Sequence, residues 1–199
     1  VDAFADFEKP LIVKAEDKNI MGKIQLRKSD VETQEPVAGA VYQIYAKEDI
    51  VTGDGTVRAN AGDLVGTMTT DAQGMALSEE LFLGTYLVKE FDTPDGYELD
   101  PTEYEVTLTC KEQDKEIVTE DLEVTEKPTN VTIVKKALGK DENLKGVKFQ
   151  IWNEKMDSEI DGGMGMKETY TTDEDGKITV KYLAPGTYCM KEVETIPGY

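Results

Sequence analysis

The sequence reads as an all-β protein built from tandem β-sandwich domains, on the strength of internal repetition and of strand-like alternation. The segment YLVKEFDTPDGY (Tyr86 to Tyr97) returns as YCMKEVETIPGY (Tyr188 to Tyr199), and matching blocks precede each copy in the same order. IQLRKSD (Ile24 to Asp30) pairs with VTIVKKA (Val131 to Ala137), GAVYQIY (Gly39 to Tyr45) with GVKFQIW (Gly146 to Trp152), and TTDAQG (Thr69 to Gly74) with TTDEDG (Thr171 to Gly176). A period of about a hundred residues is too long for a solenoid and fits small domains in series, each with its own core. In EYEVTLTC (Glu103 to Cys110) and KEIVTEDLEVTE (Lys115 to Glu126), Val, Ile, Thr and Tyr alternate with charged residues. That is the pattern of strands with one face on a core and one in water. Several short strands separated by turn signals indicate a sandwich.

Taken in order, residues 1–20 match the start of neither repeat. Within them IVKAEDKN (Ile12 to Asn19) occupies the place of a preceding domain's last strand. Residues 21–127 form the first complete domain, with a loop between Lys47 and Met68 that is longer than its counterpart and rich in Gly, Asp and Asn. In TTDAQG the Asp and Gly supply what a tight turn needs. Residues 128–199 repeat the order and stop where the final strands of the second domain should begin. The expectation is one whole domain flanked by parts of two others.

Composition removes several classes of function. With 39% apolar residues in a chain of 199, one or two modest cores can be buried. The net charge of -19 argues against nucleic acid and against anionic membrane surfaces as partners. Histidine is absent, which takes away the commonest general base and metal ligand and every Ser-His-Asp or Cys-His arrangement. Cys110 and Cys189 fall at non-equivalent places in the repeats and make no repeated disulfide framework. No apolar run approaches a membrane span, and neither a signal peptide nor a sorting tail is visible, as in a segment from the interior of something longer. Asp173 to Gly176 has acidic residues in a turn but lacks the other ligands and the closing glutamate of a calcium loop, so neither metal nor cofactor is expected.

Strand parity isolates the unusual residues, because side chains two apart share a face. Ile24, Leu26 and Lys28 share one, as do Val131, Ile133 and Lys135; Tyr86, Val88 and Glu90 share another, as do Tyr188, Met190 and Glu192. A lysine and a glutamate thus look inward in both repeats. At strand ends such residues ordinarily snorkel into water or form weak surface pairs. Recurrence at matched parity favours burial instead, since a buried charge is costly and would not arise twice by accident. Leu122, Val124 and Glu126 share parity too, while Tyr45 and Trp152 fall on the outer face of their strands, available to a ligand or a neighbouring domain.

These residues resemble the Cna B-type and SpaA-type repeat domains of Gram-positive surface proteins and pilins, from about Met21 onward. The most specific element is the E-box, matched by LFLGTYLVKEFDTPDGY (Leu81 to Tyr97) and YLAPGTYCMKEVETIPGY (Tyr182 to Tyr199). The resemblance implies immunoglobulin-like, prealbumin-like β-sandwiches. It also implies an intramolecular isopeptide bond from a first-strand lysine, here Lys28 or Lys135, to an Asn or Asp on the last strand. The E-box glutamate, Glu90 or Glu192, would shuttle the proton. An amine attacks only when neutral and a carboxyl accepts attack best when protonated; an apolar pocket favours both.

The acceptor normally lies two residues before a proline, and in TEKP (Thr125 to Pro128) that place is held by Glu126. Three outcomes stay open for the first domain: an ionic cluster with Lys28 between Glu90 and Glu126, a Lys28–Glu126 amide formed by loss of water, or a register shift that brings in Asn130. For Lys135 the acceptor strand is not in this sequence. An incomplete sandwich invites a strand from elsewhere, and the segment around Ile12 to Asn19 of another copy fits, with Asn19 at the acceptor position of a preceding or swapped domain. The resemblance implies a stalk or adhesive segment outside the cell, at the bacterial wall, with neighbouring domains of its own protein as partners and no enzymatic role beyond self-cross-linking. The alternatives are a ligand-binding module for a host protein or glycan and an accessory domain of a secreted enzyme.

Overall fold

The computed structural model describes residues 19–110, 117–156 and 169–198. The described residues form strands without any helix. In the first domain these are β1 (Met21–Asp30), β2 (Val41–Ala46), β3 (Ile50–Val51), β4 (Val57–Ala59), β5 (Leu64–Thr69), β6 (Met75–Leu77), β7 (Leu81–Phe82), β8 (Gly84–Asp92), β9 (Tyr97–Glu98), β10 (Glu103–Leu108) and β11 (Ile117–Pro128). The second contains β12 (Asn130–Val134), β13 (Lys148–Asn153), β14 (Tyr170–Thr171), β15 (Lys177–Lys181) and β16 (Tyr188–Glu194).

The period-two alternation sorts the first domain into two layers. One sheet runs β6-β1-β11-β9, with β7 also on β1; the other runs β10-β8-β2-β5. In β1 the even-numbered residues from Gly22 to Asp30 are all buried, so the whole strand presents one face to the core. Ile24, Leu26, Ile44, Val88 and Leu108 are fully buried between the layers, with Tyr42 and Tyr86 beside them. The first and last strands, β1 and β11, lie side by side and parallel, in unbroken register from Met21↔Ile117 to Asp30↔Glu126.

Two expectations need correction here. The span from Lys47 to Met68 is not a plain loop, because it contains the β3–β4 hairpin and most of β5, which pairs with β2. Its turn residues hid it: Asp54 and Thr52 close a tight turn, with Asp54 Oδ1 accepting from Thr52 Oγ1 and the Thr56 N–H. The inward parity of the second repeat also buries less than expected. Val131 is exposed, and the side chains of Lys135 and Glu192 remain 32% and 33% accessible.

The cause lies in the strand order. In the second domain β12 pairs with β15 alone, and β13 lies between β14 and β16. No strand among the described residues takes the place that β11 has beside β1 or β10 beside β8. An open apolar groove of about 660 Å³ results, lined by Val131, Ile133, Ile151, Val180, Tyr188 and Met190 among others. A smaller core of Leu144, Val147, Phe149, Tyr170, Ile178 and Val180 still closes beneath it. Residues 12–18, the segment expected as a preceding domain's strand, lie outside the described residues; Asn19 is exposed, two residues before β1.

Candidate functional site: a buried lysine between two carboxyls

The site sits between the layers of the first domain. Lys28 comes from β1, Glu126 from its parallel neighbour β11, and Glu90 and Tyr42 from β8 and β2 of the facing sheet. The lysine is inaccessible to water, and Glu126 is 1% exposed. The Lys28 ammonium pairs with Glu126 and lies 2.9 Å from Glu90 Oε1. It also donates to the Tyr42 hydroxyl at 2.5 Å, and its Nζ stands 5.0 Å from the centre of that ring. An ammonium has three donors and no acceptor, so two carboxyls and a phenol match its needs. Lys28, Glu90 and Glu126 are thus brought together; Asn130 begins β12 as an exposed residue of the second domain.

The charges do not balance unless a proton is held. One ammonium faces two carboxyls in a dry interior, where like charges close together cannot both stay ionised. The Glu126 carboxyl is pushed up to about 7, first by burial; Lys28 opposes the shift, and Glu90 adds to it by its charge and by a hydrogen bond. Near neutral pH Glu126 therefore shares in holding a proton, and its Oε1 receives no hydrogen bond from the protein. Glu90 is anchored separately, its Oε2 accepting the Asp100 N–H at 2.6 Å. Burial, with Glu90 and Glu126 adding, raises the Tyr42 phenol far above its ordinary range and keeps it neutral.

The backbone of the lysine is fixed by the TTDAQG turn. Lys28 N–H donates to the Gly74 carbonyl at 2.8 Å, and the Lys28 carbonyl accepts from Val37 at 3.1 Å. Gly74 has φ +71°, and a Cβ there would stand 2.3 Å from the Lys28 oxygen, so only glycine fits. The turn recurs: Lys135 donates to the Gly176 carbonyl at 2.8 Å, and a Cβ on Gly176 would stand 2.6 Å from the Lys135 oxygen. The TTDEDG segment itself is a turn in which Asp173 Oδ1 accepts the Asp175 and Lys177 N–H groups. Among the described residues no cluster of three metal-ligating side chains occurs.

Lys135 and Glu192 meet at 2.7 Å, with the Lys135 ammonium 6.0 Å from the Phe149 ring centre. Phe149 replaces Tyr42 in the repeat and has no hydroxyl to offer. Tyr42 went unrecognised in the sequence although its inward parity was readable; the signal was the inward Tyr42 of YQIY standing where FQIW has Phe149. The partner given by Asp100 was not readable, since it depends on a backbone amide brought in from a loop. On the outer face, Lys89 lies 5.4 Å from the Tyr45 ring centre and Lys191 lies 5.2 Å from that of Trp152, a matched pair of cation–π contacts.

The model of the SpaA family, described as a prealbumin-like fold domain, matches residues 22–123 and again residues 129–199. The chain belongs to this family. Among its relatives is the trypsin-resistant surface T6 protein of Streptococcus pyogenes serotype M6, 30% identical over 98 residues, which cover 48% of this chain and 16% of that protein. Solved structures of similar chains include the Bacillus anthracis TIE protein (25% identity, 90% of this chain and 29% of that one, TM-score 0.46). The streptococcal ancillary pilin matches at 22% identity over 94% of this chain and 58% of its own, TM-score 0.41. The shaft pilin SpaA of Lactobacillus rhamnosus GG matches at 18% identity over 90% of each chain, TM-score 0.41. This SpaA-type chain thus spans under a third of the T6 and TIE proteins.

Proposed function

We propose that this SpaA-type tandem is a stalk segment of a Gram-positive surface protein, outside the cell at its wall, whose work is to bear tension and not to turn over a substrate. The observation that carries this reading is the parallel pairing of first and last strands. Tension applied through the two ends of the first domain draws β1 and β11 in opposite directions along their common axis. All ten register pairs are then sheared together instead of being unzipped one at a time. Lys28 and Glu126 tie the same two strands at the end where β11 leaves the domain, two residues before Pro128, and Glu90 holds that tie to the facing sheet.

Single-molecule pulling through the chain ends tests this. A high unfolding force for the first domain that falls in the Lys28→Met variant supports it; an unfolding force unchanged by that substitution refutes it, since forced unfolding reports the barrier directly.

A second reading concerns the chemistry of the clasp, and the raised carboxyl of Glu126 favours it. Lys28 passes a proton to Glu126, the amine so freed attacks the Glu126 carboxyl carbon, Glu90 takes the second amine proton and returns it to the departing hydroxyl, and an amide and one water result. Intact mass separates the two forms: the sequence mass means an ionic clasp, and a mass lower by one water means an amide. For the second domain, the free edge of β12 and the groove beside it are a place for an added strand, and residues 12–19 of another copy supply one of suitable pattern.

A further inference from the structure

The junction between the domains carries its own machinery. A single residue, Thr129, separates β11 from β12, and it is tied to both sides. Its N–H donates to the Gly96 carbonyl at 2.9 Å, its carbonyl accepts from the Tyr182 N–H at 3.0 Å, and its hydroxyl reaches Gly96 O at 3.1 Å and Leu183 O at 2.8 Å. Asp30, at the end of β1 and 1% exposed, lies against the same junction. Its Oδ2 accepts from the hydroxyls of Tyr97 (3.1 Å) and Tyr182 (2.8 Å), one from each domain. Its Oδ1 accepts the N–H groups of Glu32 (2.7 Å) and Thr33 (2.9 Å). Burial pushes this carboxyl up, but the four hydrogen bonds outweigh it and hold Asp30 below the usual aspartate range.

The contact is tight and strained, as a built interface would be. The rings of Tyr97 and Tyr182 meet edge to face, 5.6 Å between centres and 83° between planes. Tyr182 adopts φ +59°, a left-handed conformation that a bulky residue holds only when its surroundings enforce it. Gly96 comes so close that a Cβ would stand 2.9 Å from the Tyr182 carbonyl oxygen. Lys181 of the second domain pairs with Glu32 of the first at 2.5 Å. In the second repeat Ala137 stands where Asp30 stands in the first, and Glu80 stands in the first where Tyr182 stands in the second. The joint therefore suits this pair of neighbours and is not a feature of every domain of the type.

We propose that Asp30, Gly96 and Tyr97 form a docking face specific for the following domain, and that Asp30 and Thr129 hold the tandem at one fixed angle as a single stiff unit. Asp30 acts as a positioning residue through the two tyrosine hydroxyls, and the PDGY end of the E-box gains a role outside its own domain.

Residual dipolar couplings measured on the whole 199-residue chain test this. The couplings of both domains are expected to fit one alignment tensor of common magnitude. Replacing Tyr97 and Tyr182 by Phe together with Thr129→Val removes the joint's hydroxyls and leaves the apolar volumes. The expected result is a smaller tensor for one domain than for the other, with each domain's own couplings still fitting its fold. The Asp30→Asn variant gives an independent reading in the same direction. Unequal tensors in the unaltered protein, or equal tensors in both variants, would overturn the proposal.

Discussion

Lys28→Met is the sharpest perturbation of the first domain. The substitution keeps the length of an unbranched side chain and removes the ammonium. What remains is Glu90 and Glu126 facing each other in a region where Lys28 has no exposure and Glu126 almost none. The loss includes the ion pairs to both carboxyls and the hydrogen bond to Tyr42. Removing one partner from a buried charged group costs about 3–5 kcal/mol, because the others are left uncompensated. In a domain of this size each kcal/mol lowers the melting temperature by about 4 °C, so the expected fall is roughly 12–20 °C. Differential scanning calorimetry reads it directly, with the mass of the unaltered protein determined first to establish whether the clasp is ionic. The same logic demands that Lys28→Met, Glu90→Leu and Glu126→Leu combined recover most of the loss, since an apolar replacement of a whole buried charge cluster is neutral or stabilising by about 1–4 kcal/mol. A Lys28→Met melting temperature equal to that of the unaltered protein would refute the reasoning.

The second domain provides the contrast: Lys135→Met is expected to cost less than about 1 kcal/mol, because the Lys135–Glu192 pair is one-third exposed and solvent screens it. Urea titration of that domain's transition measures this. The pH dependence follows from Glu126, whose carboxyl rises from 4.5 to about 7 on folding. The folded state then binds the extra proton between those values, so the first domain loses up to about 3 kcal/mol as pH rises through that window. Glu126→Gln should flatten the slope, and an unchanged slope in urea melts from pH 5 to pH 8 would exclude Glu126 as its source. Gly74→Ala is expected to destabilise by about 1–3 kcal/mol through its positive φ and its clash with the Lys28 carbonyl. Gly39→Ala, with open space around it, should be milder, and thermal melts rank the two. A peptide of residues 10–20 added to the protein is expected to slow amide exchange along β12; no added protection would remove the strand-exchange proposal.

By itself the sequence determined the all-β class, the repeat and the identity of the inward lysine and glutamates. Those depend on alternation and on comparison between two copies, which are local properties of the chain. Lys28 and Glu90 were legible because a charge at core parity recurs in both repeats, and Glu126 because it shares the parity of Leu122 and Val124, although the same parity leaves Lys135 and Glu192 one-third exposed. The strand character of the span from Lys47 to Met68 was less legible, since short strands closed by Asp and Thr turns carry the composition of a loop.

Tertiary structure alone decided the rest. Whether the second pair is buried depended on which strands flank β12 and β16, a matter of pairing across distant segments. Tyr42 and Asp100 reach the clasp only when the facing sheet and its loop are brought in, and the Glu126 carboxyl is pushed up first by burial between the layers and then by Glu90 beside it. The joint lay furthest from view. Asp30, Gly96, Thr129 and Tyr182 are scattered along the chain, and their meeting depends on the angle between two folded bodies, which no periodicity encodes.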